Sequence, residues 1–437
     1  MSRTAQIGSE TTGNDPSGSA SSLPAKLAGY TFLGFVFSSA FSIAAAQICL
    51  GLALVFGVIA YRNDLHSLKM IRPVLWAALI YVGWRVLSSL TGPTPVNSLW
   101  TIREDWLFLI VPLTLLVVRK AASAEKIVGA LSFGLVLAGV YGVVQHFTGW
   151  YFFHEGSLHH VRDNFRLSGN FSHPLTYGYY VVVSTLFLSS YLLGRLQKLR
   201  GWQLYLPLLA VLAGLAAAGL CNSRGPFLAL GVGLALLGIV HKRVWLAVGI
   251  VVVLAVGAIA LSPGMATEFE DRFVKDLSTE KPISRSYIWG IALEIVRDEP
   301  ILGTGPGNFG PAYIDHLPED APPGERKGHA HNDYLQVAAT VGIPGLLLYL
   351  VLWAMVLRIL TRTWWANRLN GDLQVVLARA ALIASTVFLI ASAAEAAFAD
   401  DELRQLLMAL WGLGLSGAAG SLMTSKGSSS PDIPNVR

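Results

Sequence analysis

The sequence predicts an all-α polytopic membrane protein of about twelve transmembrane helices, both termini cytoplasmic, with one long, partly helical loop on the outer side. Three observations predict it. The 437 residues are 53% hydrophobic and only 14% charged, against about 25% charged in an ordinary soluble domain. The apolar residues fall in long runs, many of them near the ~20 residues a helix needs to cross a bilayer. Lys and Arg crowd every second connection, which orients the spans by the positive-inside rule.

The elements follow in order. Residues 1–26 are polar, rich in Ser, Gly and Thr, and lack an apolar stretch; they read as a disordered cytoplasmic tail and not as a signal peptide. Region 27–262 holds nine spans, near 28–44, 46–61, 73–90, 105–119, 126–147, 175–194, 203–221, 225–241 and 243–262. A large outer loop follows at 263–332, which the family resemblance given below makes periplasmic. Region 333–424 holds the last three spans, near 334–358, 375–398 and 403–422, and 425–437 is a second cytoplasmic tail. The basic connections carry Arg62, Lys69 and Arg72; Arg119, Lys120 and Lys126; Arg195, Lys198 and Arg200; Lys242 and Arg243; Arg358, Arg362 and Arg368. The alternating ones hold far fewer, with Arg103, Arg224 and Arg404. The net charge of +5 is therefore mostly a topology signal, with nothing that marks a nucleic-acid partner. Cys49 and Cys221 lie in apolar stretches and read as small packing residues, without disulfide or metal spacing.

Two segments remain outside. One, at about 148–174, carries His154, His159, His160, Arg162, Arg166 and His173. The other is the 263–332 loop, which has seven Lys/Arg and twelve Asp/Glu; a loop of that length escapes the charge rule. Within it, "SRSYIWGIALEIVRDEP" starts at a plausible N-cap, Ser284, and sets Ile288, Ala292, Ile295 and Val296 on one helical face. Pro300 and "ILGTGPGNFG" end that helix. The glycine run lacks the Gly-Lys-Ser/Thr ending of a phosphate loop, so a turn held by Gly303, Gly305 and Gly307 is the favoured reading.

Charged groups near lipid invite explanation, because an arginine at the bilayer centre costs roughly 2.5–3.5 kcal/mol on insertion scales. Arg224, in "CNSRGPF", Arg285 at the loop-helix start, and Arg162 and Arg166 all face the outer side. Together such groups can hold a phosphate or diphosphate without metal; the alternative is that each snorkels to lipid headgroups. Snorkelling is the expectation for Arg85 and Arg379. Asp400, Asp401 and Glu402 form a short outer turn with Glu395 just before it. Asp401 can cap the last helix, or one of these carboxylates can assist chemistry. Acids are nearly absent from the middle of the spans, which weighs against a proton-coupled transporter.

The stretch "GHAHNDYLQVAATVGIPG", 328–345, then holds the chemistry-bearing histidines. His329, His331 and Asp333 can be read as a metal string, though no cysteine or second cluster supports it. They can be ordinary interfacial polarity. They can also supply a general base: Asp333 and Gln336 resemble a capping box, which puts His331 just ahead of a helix N-terminus. The positive end of that helix discourages imidazolium, and a neutral imidazole near arginines suits proton abstraction.

The same stretch resembles the signature of the O-antigen ligase superfamily: His331, Asn332, nine residues, Gly342, two residues, Gly345. "GVVQHFTG", "FRLSGNFSHP", "NSRGPFLAL" and the 284–310 segment agree with it, so the resemblance covers roughly 130–350. The resemblance implies an inner-membrane glycosyltransferase with its active site facing the periplasm. Family members move a glycan from undecaprenyl diphosphate to an acceptor without cofactor or metal. It implies His331 as catalytic base and Arg224 and Arg285, with Arg166, as holders of the diphosphate; Asp400, Asp401 and His329 are candidate helpers. Direct attack inverts the anomeric centre, since no nucleophile stands beside His331. Three activities share the signature: O-antigen ligase, which uses lipid A-core as acceptor, O-antigen polymerase, and protein O-oligosaccharyltransferase. The ligase is favoured because the long outer loop sits directly before the signature and no soluble C-terminal addition follows. A polysaccharide or lipid transporter using the same arginines is the rival of another class.

Overall fold

The computed structural model describes residues 22–120, 122–151, 160–161, 164–221, 223–245, 248–252, 284–319, 321, 326–366, 368 and 372–417. They form helices α1 (Leu23–Ser38), α2 (Ile43–Tyr61), α3 (Arg72–Thr91), α4 (Pro95–Ile102), α5 (Ile110–Lys120), α6 (Ala124–Thr148) and α7 (Pro174–Arg195). After these come α8 (Trp202–Leu220), α9 (Arg224–Val240), α10 (Arg285–Asp298), α11 (Phe309–Asp315), α12 (Asp333–Ala366), α13 (Leu373–Ala391) and α14 (Asp401–Ser416). A two-residue antiparallel ladder, His160–Val161 against Asn164–Phe165, is the sole sheet among the described residues.

Among the described residues, six helical stretches are long and apolar enough to cross a membrane: Ile43–Tyr61, Leu65–Thr91, Ala124–Thr148, Trp202–Leu220, Asp333–Ala366 and Leu373–Ala391. The chain is a polytopic membrane protein. Predicted spans 28–44, 175–194 and 225–241 overlap α1, α7 and α9; 105–119 divides between the Arg103–Leu109 3-10 turn and α5; 403–422 overlaps α14 as far as Ser416, and 418–422 and most of 243–262 lie outside the described residues. The first boundary moves: α1 already begins at Leu23, inside the stretch assigned to the tail. Its Pro24 at the start of the helix explains this, since a proline there has the right φ and loses no needed hydrogen bond.

The bundle is organised around α7 and α14. α7 is buried along nearly its whole length from Thr176 to Leu192, and α14 from Glu402 to Ser416, as expected for helices enclosed by others. The outer helices instead expose apolar side chains such as Leu52, Val58, Leu79, Leu212, Leu347 and Val351, which suits a surface facing lipid tails. Small residues let helices close on one another; a Cβ on Gly139 of α6 would come 2.9 Å from the Ala213 backbone of α8.

Two features correct the sequence expectations. Arg85 does not snorkel. Its Nε lies 2.9 Å from Asp105 Oδ2, and Arg404 Nη1 lies 3.3 Å from the other oxygen. Arg404 also donates to the carbonyls of Phe398 and Ala399. This buried network fastens α3 and the Arg103–Leu109 turn to the start of α14; truncating one member of such a set typically costs about 3–5 kcal/mol. Arg379 likewise packs its guanidinium end into the bundle, against Gly194 of α7.

The second feature is a break in α12. Gly342 has φ 74° and ψ 175°, a conformation confined to glycine. The helix opens there to receive the segment after α10: Ile343 N–H donates to Pro300 O at 2.8 Å, Thr304 N–H to Ala339 O and Gly305 N–H to Thr340 O. Gly303, Gly305 and Gly307 all have positive φ, so the glycine run is a turn, and it is built to dock. Carbonyls at the break find side-chain donors on α3: Trp84 Nε1 to Val341 O at 2.8 Å, and Ser88 Oγ to Leu302 O at 2.6 Å and Thr340 O. Irregular backbone at membrane depth is tolerated when enclosed and satisfied in this way.

Candidate active site

The site grows from three consecutive side chains at the start of α12. His331 Nδ1–H donates to Glu395 Oε1 at 2.8 Å. Asn332 Nδ2 donates to Ala393 O at 3.0 Å. Asp333, buried, accepts from Phe398 N–H with both oxygens at 3.1 and 3.2 Å, while its own N–H donates to Ser392 O. All three grip the loop between α13 and α14, and that loop carries Glu395. Arg285, first residue of α10, grips the same loop through Ala394 O and pairs with Glu395 Oε2 at 3.4 Å.

This assigns the helix cap differently from the sequence expectation. Asn332 Oδ1, rather than Asp333, accepts from Tyr334 and Leu335 N–H, and Gln336 Oε1 accepts from Ala330 N–H. Asp333 is occupied in anchoring the Glu395 loop. His331 itself has φ 48°. A left-handed non-glycine residue costs of order 1 kcal/mol and persists where surrounding contacts impose it; here the grip on Glu395 does so.

The hydrogen bond fixes the imidazole tautomer. A carboxylate only accepts, so His331 carries its proton on Nδ1, leaving Nε2 with the free lone pair when the ring is neutral. Burial alone would raise Glu395, but the His331 hydrogen bond and the charges of His331, Arg285 and His329 hold it below the ordinary glutamate range. It is therefore an ionised partner for the imidazole.

His329 stacks edge-on against His331, ring centroids 4.1 Å apart, and its Nδ1 lies 3.9 Å from Glu395 Oε1. Desolvation and the charge of His331 push it down to about 4, with His173 and Arg285 adding and Glu395 opposing. Candidate ligand atoms of His329, His331 and Glu395 lie within 4.8 Å of one another, so they can be brought round a cation. Two features compete with that use: His331 Nδ1 is committed to Glu395, and the Arg285 guanidinium already neutralises the carboxylate.

The arginines divide. Arg285 belongs directly to the histidine site. Arg166 donates to Ser223 Oγ through Nε at 3.3 Å and Nη2 at 2.9 Å, which sets it beside Arg224 at the first turn of α9. Arg162 lies outside the described residues, as do His154 and His159. Arg166 is placed by the end of α6: Gln145 brackets Gly169 with bonds to its N–H and C=O, and His146 Nδ1 binds Phe165 O. Of the two aspartates, Asp400 accepts from Thr176 Oγ1 at 2.6 Å, and burial pushes it up to about 6. Asp401 does not cap α14; it turns to Gln47 and the Glu104–Arg404 group, a separate cluster.

Residues 208–350 match the family model described as O-antigen ligase. The chain carries an O-antigen ligase family domain. A comparison with curated proteins finds no match. The O-antigen ligase domain spans Arg224, Arg285, His331, Gly342 and Gly345, whereas Arg166, Glu395, Asp400 and Asp401 lie beyond it. Its family carries out membrane glycan transfer of the O-antigen ligase and polymerase type, on lipid-linked glycans. In the sequence Glu395 is one acid among several neighbours, and only the grip of His331, Asn332 and Asp333 on its loop singles it out.

Proposed function

We propose that the protein is an O-antigen ligase, joining a glycan from undecaprenyl diphosphate to lipid A-core at the periplasmic face of the bacterial inner membrane. The observation that carries this reading is the continuous chain Arg285–Glu395–His331 inside and beside the family signature. It combines a cation for the leaving group with a hydrogen-bonded, oriented imidazole. In this reading both termini are cytoplasmic and the start of α12 and the turn before α14 open on the periplasmic side.

In the reaction, an acceptor hydroxyl of lipid A-core attacks the anomeric carbon of the donor. The new C–O bond forms as the bond from that carbon to the diphosphate oxygen breaks, inverting the centre. His331 Nε2 takes the hydroxyl proton, and Glu395 stabilises the resulting imidazolium as it orients the ring. Arg224 and Arg285, with Arg166 behind them, neutralise charge growing on the diphosphate. The diphosphate is a good leaving group already, so positioning two membrane-anchored partners supplies most of the remaining acceleration. His329 and Asp400 assist from beside and behind the base; Asp401 stands further off. Membrane lipids surround the site, and no cofactor is invoked.

Purified protein supplied with carrier-linked glycan and lipid A-core tests this. Joined product and released undecaprenyl diphosphate are expected, at a rate unchanged by EDTA. Growth of carrier-linked polymer in place of joined product would identify a polymerase. A requirement for one divalent cation after chelation would reassign His329, His331 and Glu395 as its ligands.

A further inference from the structure

Three tyrosines sit close together near the outer end of α7, all buried. Tyr177 donates its hydroxyl to Ala138 O at 2.9 Å, and Tyr180 shares a hydrogen bond with Ser39 Oγ at 2.8 Å. Tyr179, only 1% exposed, has a buried hydroxyl with no hydrogen-bond partner among the described residues. Leaving a buried hydroxyl unsatisfied is destabilising, a penalty that phenylalanine at the same place would avoid.

The position of that hydroxyl is specific. It lies against Gly225, the second residue of α9, so closely that a Cβ there would stand 2.3 Å from the phenolic oxygen. Pro226 packs on Gly178 in the same way, which draws the first turn of α9 onto α7. That first turn is not capped by its own Ser223, whose hydroxyl donates to Cys221 O and accepts from Arg166. The phenol also lies within electrostatic reach of Arg285 and Glu395. It therefore stands between the α9 N-terminus with Arg224 and the Arg285–Glu395–His331 chain. A helix N-terminus of 17 residues, an arginine at its first position and a phenol O–H form a donor set for a phosphorylated anion.

We propose that the Tyr179 hydroxyl is a binding donor for the diphosphate of the lipid carrier, held between Arg224 and Arg285. The proposal rests on the diphosphate reading given above and adds a neutral donor to its cations. It also accounts for Gly225, since any side chain there would push the phenol away from the helix end.

The test compares wild type, Tyr179→Phe and Arg224→Ala, each as full-length purified protein, for binding of undecaprenyl diphosphate and for thermal unfolding. Tyr179→Phe is expected to weaken binding roughly tenfold, the scale of one hydrogen bond to a charged acceptor, while Tm stays level or rises. Weakened binding with Arg224→Ala but unchanged binding with Tyr179→Phe would overturn this inference and leave the diphosphate reading standing. Unchanged binding in both variants would overturn the two together. A fall in Tm that accompanies the lost affinity of Tyr179→Phe would show a packing role and also overturn it.

Discussion

His331→Ala is expected to lower the rate of glycan transfer by roughly 10²–10⁴-fold, the range that a positioned general base supplies. The loss should appear in kcat, with the KM for the carrier changed far less, because the diphosphate contacts rest on arginines. Folded protein should be recovered in near-normal yield. Asn332 and Asp333 keep the grip on the 392–398 loop without the imidazole, through bonds to Ala393 O and Phe398 N–H. Replacement by alanine at this left-handed position exchanges one strained residue for another, so backbone cost is nearly constant. Full transfer activity in that variant would remove the general-base assignment.

Gly342→Ala has the largest expected effect on the fold. A Cβ there would lie 1.9 Å from Ile301 O, and the glycine conformation is one that alanine rarely adopts. Strain and overpacking together come to roughly 3 kcal/mol or more. The consequence reaches the site because the break in α12 is where the segment after α10 docks, and α10 carries Arg285 on its first turn. The expected result is a steep drop in folded protein extracted from membranes, or a much lower Tm in what is extracted. Gly345→Ala should be milder: its φ is not among the positive values, and its crowding comes from the Val341 and Trp84 side chains, which can shift.

Much of this was legible in the sequence. Apolar runs gave the helices because lipid leaves the backbone no other partner. Ser284 was readable as a cap, and its hydroxyl does accept from Tyr287 N–H. Ile288, Ala292 and Ile295 form the buried face of α10 as their spacing requires, with Ile291 joining them and Val296 only partly buried. The glycine turn at 303–307 was also readable, since it lacks the lysine of a phosphate loop. What the sequence could not supply were partners distant along the chain. Arg85 meets Asp105, which Arg404 also holds from far along the chain, and nothing local distinguishes such an arginine from one that snorkels. Asp333 looked like a cap because it precedes an apolar run, yet Asn332 beside it performs that role and frees Asp333 to hold Phe398. Glu395 lies 64 residues from His331, and only tertiary structure separates it from Asp400 and Asp401.

A family match over residues 208–350 does not by itself identify which polar residues act together. Here the physical link is a single carboxylate shared by a histidine and an arginine. His331, Asn332 and Asp333 read as one device, one side chain for the reaction and two that hold its partner in place.

His331 and Glu395 are expected to work as a unit, and a double-mutant cycle on transfer by the purified protein tests this most directly. His331→Ala and Glu395→Gln are each expected to lower kcat, the second by roughly tenfold or more. The double variant should be no slower than His331→Ala alone, because the carboxylate acts through the imidazole. Losses that multiply in the double variant would contradict the account, as they would mean that Glu395 serves the reaction independently of His331.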